Sequence, residues 1–362
     1  MVPVWSPPKE LVPRILSMEI MENRQKILLA HGSGGRLMHS LIGQLFQKKF
    51  SNEILDELSD SAVIELLASK GGSCSLCFTT DSYVVRPLFF PGGDIGKLAI
   101  CGTINDLAVV GAKPLYISCG FIIEEGLDWE VLERITESMA QVADTEGVKI
   151  VTGDVKVVEH NSADKLFINT SGIGVRGEGV NLCKKAILPG DKIIINGTIG
   201  EHGLAVLAAR GQFDFQTEIT SDCAPLSDLI MRVIQNSKNI KFMRDPTRGG
   251  LATVLNEMVS EMGFGTELFE EHIPIKEEVK ALCEILGFDP LYIANEGKVV
   301  VVVSEEGAEP VLELMRRHPL GKESQIIGEI VEAPKGKVIM KTKIGGTRVI
   351  DMLVGDQLPR IC

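Results

Sequence analysis

The chain is short of positive charge, long apolar runs and paired cysteines, and each shortage excludes a class of protein. Its 37 lysines and arginines are outnumbered by 49 aspartates and glutamates, a formal net charge of −12. Binding a nucleic-acid backbone needs a basic footprint, so nucleic acid is excluded as the main partner. A nucleotide, which asks only for a local cation or metal, is not. No stretch approaches the roughly 20 apolar residues of a membrane helix, so no membrane is expected. The opening MVPVWSPPKELVPRIL carries four prolines and no apolar core, which argues against a secretory signal; residues 1–25 read as an irregular extension. Eight cysteines, at 74, 77, 101, 119, 183, 223, 283 and 362, follow no framework spacing. That pattern fits free thiols in a reducing cytoplasm. Cys74-x-x-Cys77 lacks a second pair to complete a zinc site and runs into an apolar segment, so packed strand thiols are favoured over a zinc or redox pair.

The common nucleotide fingerprints are missing as well. No G-x-x-x-x-G-K-[ST] occurs. Gly172-x-Gly174-x-x-Gly177 satisfies G-x-G-x-x-G but opens onto EGVNLCKK instead of an apolar helix, so its context fails. No short-period repeat is present.

What is present is a 362-residue chain with 44% apolar and 24% charged residues, enough for two globular domains. The first is expected over 26–178, with a strand at 73–85. A helix should follow Asp94, whose side chain can cap it, and stop at Gly111. A second helix is expected over 128–145, with strands at 149–151 and 166–174. Residues 176–190 read as a linker. The second domain, 191–335, should contain a helix over 251–262, with Thr247 able to cap it, a buried strand over 298–304 and a last strand near 328–332. Residues 336–362 read as a mobile tail. Strands and helices alternate irregularly, which indicates an α+β fold.

Four acid- or glycine-bearing turns carry the chemistry of the first domain. They are His31-Gly-Ser-Gly34-Gly35, Thr79-Thr80-Asp81-Ser82, Asn105-Asp106 followed by Gly111, and Thr152-Gly153-Asp154-Val155-Lys156 directly after a strand. Small residues let backbone N–H groups approach an anion. Any single aspartate reads as a turn or cap. Three beside glycines in one domain have a second explanation in common, a magnesium–polyphosphate site, because Mg²⁺ prefers hard oxygen ligands. In the second domain, Asp245-Pro-Thr247-Arg248-Gly-Gly precedes a helix, and Arg248 offers a fixed fork for phosphate. Glu296, before the buried strand, is either a turn residue or a site carboxylate. Cys362 ends the chain. The sixteen residues after Gly346 would span roughly 20–24 Å if undocked, so the thiol is either incidental or carried into a cleft.

Together these segments resemble the superfamily of ATP-dependent enzymes that includes aminoimidazole ribonucleotide synthetase, selenophosphate synthetase and thiamine-phosphate kinase. Asp106-x4-Gly111-Ala112-x-Pro114 matches its ATP-binding signature. Within it, HGSGG, RPLFFPGGDIGKLA, VTGDVKVVE, DPTRGGL, ANEGKVV and the terminal PRIC resemble the HypE carbamoyl dehydratases of hydrogenase maturation, over residues 26–362. One departure is Val155, where that family usually has threonine. The resemblance implies ATP and Mg²⁺ as cofactors and a homodimer paired through the first domains. It implies that the carbamoyltransferase HypF loads a carbamoyl group onto Cys362. The S-carboxamide is then dehydrated to a thiocyanate with ATP, and the cyano group passes to a HypC–HypD complex for the iron of nickel–iron hydrogenase.

On that reading Asp81, Asp106 and Asp154 would hold Mg²⁺ and the phosphates, with Asn105, Gly111 and Thr247 beside them. Gly34 and Gly35 would cover the nucleotide and Arg248 would stabilise the transferring phosphoryl group. Lys156 and Glu296 are the candidates for activating or deprotonating the carboxamide. Two rivals remain. One is a sibling synthetase or kinase, although the reactive Cys and Lys of selenophosphate synthetase are missing from HGSGGR. The other is a non-catalytic carrier whose tail thiol ferries a group between partners.

Overall fold

The computed structural model describes residues 27–67, 73–211, 217–260, 262–353, 358 and 360–362. The expected extension over 1–25, the side chain of Cys74 and Pro359 lie outside the described residues.

The first domain starts with a 3-10 turn, Leu29–Gly32, and helix α1 (Arg36–Leu41), which continues as a π-helical stretch, Ile42–Gln47, and a last α turn, Lys48–Phe50. Strands β1 (Ala62–Leu67) and β2 (Ser73–Tyr83) lead to a small hairpin, β3 (Phe89–Phe90) and β4 (Gly93–Asp94). Helix α2 (Ile95–Val109) follows, then β5 (Ala112–Glu124), α3 (Trp129–Glu146), β6 (Lys149–Val158) and β7 (Leu166–Arg176). The strands order as β1-β2-β7-β5-β6. Only β5 and β6 run parallel; they are the pair joined by a crossover helix, α3.

Asp94 caps α2 as expected, accepting from Gly96 N at 2.8 Å and Lys97 N at 3.1 Å. Nearly every side of α2 is buried. A helix apolar all round needs cover all round, and α2 lies between the first sheet and the second domain. The TGD segment does not follow a strand. It lies inside β6, which runs on to Val158.

The second domain contains β8 (Lys192–Ile195), α4 (Glu201–Ala209), α5 (Ser227–Asn236), β9 (Ile240–Arg244), α6 (Gly250–Val259), β10 (Gly265–Phe269), α7 (Glu277–Leu286), β11 (Val300–Val303), α8 (Ala308–Arg316) and β12 (Gln325–Val331). Two further strands follow, β13 (Val338–Lys341) and β14 (Thr347–Ile350). All belong to one sheet ordered β14-β13-β10-β12-β8-β11-β9. Strand β11 is fully buried between β8 and β9, which explains its run of valines.

The expectations of a last strand near 328–332 and a tail from 336 are therefore corrected. Gly345 has φ +85°, and the Thr342–Gly346 segment is a tight hairpin turn, with Thr342 N donating to Gly346 O at 3.0 Å. The glycines that suggested a tail turn β13 into β14, and Val338 and Ile350 are buried in the core. The chain leaves the sheet only after Ile350.

Its end is docked. Val84 N donates to Cys362 O at 3.3 Å and Arg86 N to Arg360 O at 3.4 Å, so residues 360–362 lie antiparallel to the chain just beyond β2. Arg360 pairs with Asp164 at 2.7 Å, and Ile361 is buried among Phe90, Val206 and Ala294. The tail expected to be mobile thus occupies one defined seat here.

Candidate active site

Docking brings Cys362 to a cavity of about 170 Å³ shared by both domains, lined by Ser33, Ser82, Arg248, Leu358 and Cys362 among others. Arg248 comes from the loop between β9 and α6. Gly249 and Gly250 both have positive φ there, +76° and +62°, a turn that favours glycine. Gly249 is the N-cap of α6, so Thr247 does not cap the helix with its side chain; it contributes a carbonyl to Gly250 N at 2.9 Å. Arg248 Nη2 lies 3.5 Å from Asp81 Oδ1. The negative charge on Cys362, followed by Asp81 and Glu296, holds the guanidinium charged against the cost of burial.

The glycine loop closes over this pair. Gly34 has φ +83°, and a Cβ there would lie 2.8 Å from the Arg248 carbonyl oxygen. A Cβ on Gly35 would lie 2.7 Å from Leu353 O. Arg36 N donates to that same carbonyl at 2.8 Å, and Arg36 pairs with Asp351 at 2.5 Å. The loop thus rests on the arginine and on the segment that leads to the tail.

Glu296 is 3% exposed, and its Oε1 is buried with no hydrogen-bond partner. Burial pushes its carboxyl well above the ordinary range, and Cys223, Asp245, Asp222 and Asp81 push the same way. A second acid, Asp222, fixes its backbone. Asp222 accepts from Glu296 N at 3.1 Å and Gly297 N at 3.2 Å and pairs with Lys298 at 3.1 Å. Burial alone would raise the Asp222 carboxyl, but Lys298 and the Glu296 N–H outweigh it and hold it low. One buried acid is thus held low beside another pushed high.

A group of carboxylates adjoins Arg248. Thr79 Oγ1 donates to Asp106 Oδ2 at 2.8 Å. Burial raises the Asp106 carboxyl well above its usual value, with Asp245, Asp81 and Asp60 adding to the effect. Asp245 is pushed up to about 7, by burial and then by Asp60. Arg244 reaches Asp60 and Glu257, 3.0 Å from each. Among the described residues, no three His, Cys, Asp or Glu side chains converge as a metal site. The group is still a set of hard oxygen donors crowded enough to gain from a divalent cation.

The N-terminal domain of AIR synthase related proteins matches residues 58–176, and the C-terminal domain matches 189–341. A carbamoyl dehydratase HypE from Bradyrhizobium diazoefficiens is 50% identical over 335 residues, 92% of this chain and 95% of that protein. The chain belongs to the HypE carbamoyl dehydratase family. The crystal structure of a HypE–HypF complex matches at 49% identity and TM-score 0.80, covering 87% of this chain and all of that one. HypE in complex with ATP matches at 45% identity and TM-score 0.76, covering 93% and 100%. Thiamine monophosphate kinase from Aquifex aeolicus, at 17% identity and TM-score 0.60 over 88% of this chain and 99% of that one, has the same fold.

Within this HypE-family chain, Arg248 and Cys362 line the same cavity, Asp81 lies 3.5 Å from Arg248, and Gly34 and Gly35 pack on the Arg248 and Leu353 carbonyls, whereas Asp106 and Glu296 do not line the cavity. Four other expected site residues do different work in the protomer. Asn105 is a domain clamp: its amide donates to Ala224 O at 3.1 Å and Glu296 O at 3.3 Å and accepts from Leu226 N at 2.7 Å. Gly111, with φ +82°, is the turn after α2, and a Cβ there would meet Val180 at 2.5 Å. Asp154 and Lys156 pair with each other at 2.6 Å on β6. Register runs from Asp81 through Thr170 and Cys119 to Gly153. Asp154 therefore stands about three strand spacings, roughly 14 Å, from Asp81, and the expected aspartate triad does not form within one chain.

A larger cavity, about 420 Å³, is lined by Leu88, Phe89, Leu127, Val131 and Asp164 among others. None of the expected site residues lines it. Three contributors escaped the sequence reading: Asp60, Asp222 and His202. Only His202 left a signal, a lone aromatic base in the apolar helix EHGLAVLAA.

Proposed function

We propose that this chain dehydrates a carboxamide carried on its own Cys362 to a thiocyanate, using MgATP, in the assembly of the cyanide ligands of nickel–iron hydrogenase. The observation that carries the reading is the seat of Cys362. The terminal residue shares one cavity with Arg248, whose charge its own negative charge sustains, and Glu296 adds to that same field.

The residues present fit a nucleotide. Gly34 and Gly35 let their loop pack directly on the carbonyls of Arg248 and Leu353, two residues that line the cavity. Asp81, Asp106 and Asp245 are the hard oxygen donors that would turn to Mg²⁺ when it arrives with the nucleotide, since they do not converge as a metal site without it. When bound, ATP supplies the phosphoryl group that makes the carboxamide oxygen a leaving group. Arg248 offsets negative charge where the carboxamide oxygen sits. Glu296 takes a proton from the carboxamide nitrogen at its partnerless Oε1; a carboxyl raised by burial is a matched base for so weak an acid. Tethering supplies the positioning, since the reacting group cannot diffuse away.

Lys156 and Asp154 belong to this scheme through a second copy of the chain. Strand β6 is an open edge with Ile150, Val151, Val155 and Val157 all exposed. Such an edge asks for a partner strand, and a homodimer closed there would carry Lys156 and Asp154 toward the cleft of the other subunit. HypF would be the enzyme that loads Cys362, and a HypC–HypD complex the acceptor of the cyano group. The setting would be the cytoplasm, where thiols stay reduced; the six cysteines other than Cys362 whose side chains are described are free thiols. No described helix is long and apolar enough to cross a membrane.

The variant Cys362→Ala tests the reading. It should fold and bind ATP as the parent does and form no thiocyanate. Thiocyanate formation by that variant would refute the proposal.

A further inference from the structure

Helix α4 meets the tail with a stripe of residues one turn apart. His202 Nε2 lies 3.0 Å from Ile361 O. Gly203 leaves room for Leu358, whose Cδ1 would be 3.2 Å from a Cβ there. Val206 belongs to the cluster that buries Ile361. Arg210 donates through Nη2 to Arg360 O at 2.8 Å and through Nε to Arg86 O at 3.0 Å. The i, i+4, i+8 spacing puts 202, 206 and 210 on one face, so a single rigid element holds the backbone just before Cys362.

His202 is fully buried, and its hydrogen bonds define its tautomer. The Ile361 carbonyl can only accept, so Nε2 carries the proton, and the Ser221 hydroxyl, which accepts from Cys223 N at 3.0 Å, donates to the bare Nδ1 2.8 Å away. Nδ1 is then the acceptor and Nε2–H the donor to the Ile361 carbonyl. Burial keeps the ring neutral, and the edge-on contact with Phe90, ring centroids 5.4 Å apart, fixes its plane.

We infer that His202 is a positioning residue for the dehydration: its Nε2–H, set by Ser221, pins the Ile361 carbonyl and so sets the register at which Cys362 faces Arg248. The pin acts on the docked tail only, so it serves the reaction in the cleft and not the loading of an undocked Cys362. This rests on the proposed dehydration, but the pin itself is measurable without it.

The test uses the full-length chain with three variants. His202→Phe keeps a flat ring and removes the donor, whereas His202→Gln places an amide N–H near the Nε2 position. Two rates are read by mass of the C-terminal peptide: alkylation of Cys362 by iodoacetamide, which reports how often the tail leaves its seat, and ATP-driven loss of water from preloaded Cys362. Leaving a buried carbonyl unpaired should speed alkylation and slow dehydration roughly tenfold each in His202→Phe. His202→Gln should recover most of both, and HypF-dependent loading, which uses the undocked tail, should not slow in either variant. Alkylation at the parental rate in His202→Phe overturns the inference. Altered alkylation with no loss of water even in the parent chain upholds the pin and overturns the dehydration reading. If His202→Phe melts out, Ser221→Ala should move both rates the same way by a few-fold, and no change there overturns the inference.

Discussion

Asp222 grips the backbone of Glu296 and leaves its side chain alone: Oδ1 accepts from Glu296 N at 3.1 Å, while Glu296 Oε1 has no hydrogen-bond partner. A buried carboxyl oxygen without a partner costs stability unless something arrives to use it. Here the charges it feels are Asp245, Asp222, Asp81 and, with opposite sign, the Arg248 guanidinium, which suits a proton acceptor waiting for a substrate N–H.

The substitution Glu296→Gln should therefore leave loading and nucleotide binding intact and stop dehydration, so that carbamoylated Cys362 accumulates in the presence of ATP. The parent enzyme's pH profile should carry the same signature. A base must be deprotonated, and burial with Cys223, Asp245, Asp222 and Asp81 raises the carboxyl. The dehydration rate should thus fall as pH drops through a value well above the ordinary carboxylate range. Single-turnover rates across pH should show that limb, and a profile flat down to the usual carboxylate range would remove Glu296 as the base.

Replacing Asp222 by Ala strands Lys298 and two backbone N–H groups in the interior. Breaking a buried ion pair in this way should cost about 3 kcal/mol, read as a lower denaturation midpoint. The carboxyl is held below its unfolded value, so its contribution is present above that value and is lost as pH falls through the folded one. The stability gap between parent and variant should accordingly close in acid.

Gly34→Ala asks whether the glycine loop must rest on Arg248. The position has φ +83°, and the new methyl would lie 2.8 Å from a carbonyl oxygen that is backbone and cannot swing away. Strain of about 1–3 kcal/mol is expected. Gly34 is buried but Gly32 in the same loop is exposed, so the strain should be relieved by lifting the loop rather than by unfolding. ATP titration should show roughly tenfold or greater loss of affinity with a small change in melting temperature.

The trans assignment of Lys156 predicts complementation. Lys156→Ala and Glu296→Gln chains should each be inactive alone. Mixed and re-equilibrated, they should regain part of the parental rate, because heterodimers contain one cleft with both parental groups. No recovery, with heterodimers shown to form, would place Lys156 in the cleft of its own chain or outside the reaction.

Legibility in the sequence followed the range of the interactions. Asp94 as a cap, α2 as a helix ending at Gly111 and β11 as a buried strand were readable because each is written in neighbouring residues. The glycine loop, Arg248, Glu296 and Cys362 were readable as chemistry, and the structure puts Arg248 and Cys362 on one cavity with the glycine loop packed on Arg248. Asp154 was misplaced because its distance from Asp81 is decided by strand order across the sheet, which no local pattern contains. Asn105 looked like a ligand beside Asp106, yet its amide is consumed by partners more than a hundred residues away. Strands β13 and β14 were read as tail because each has four residues and the hairpin between them is rich in glycine and lysine. Asp222 and Asp60 are single acids in unremarkable surroundings, and only burial beside other charges makes them matter.

The most direct test follows the mass of the C-terminal peptide through one reaction: chain, HypF and a carbamoyl donor first, then ATP with Mg²⁺. The account predicts gain of a carbamoyl group on Cys362, followed, only after ATP is added, by loss of one water from that same peptide. A carbamoyl group that persists through ATP turnover, or that is found on any residue other than Cys362, would contradict it.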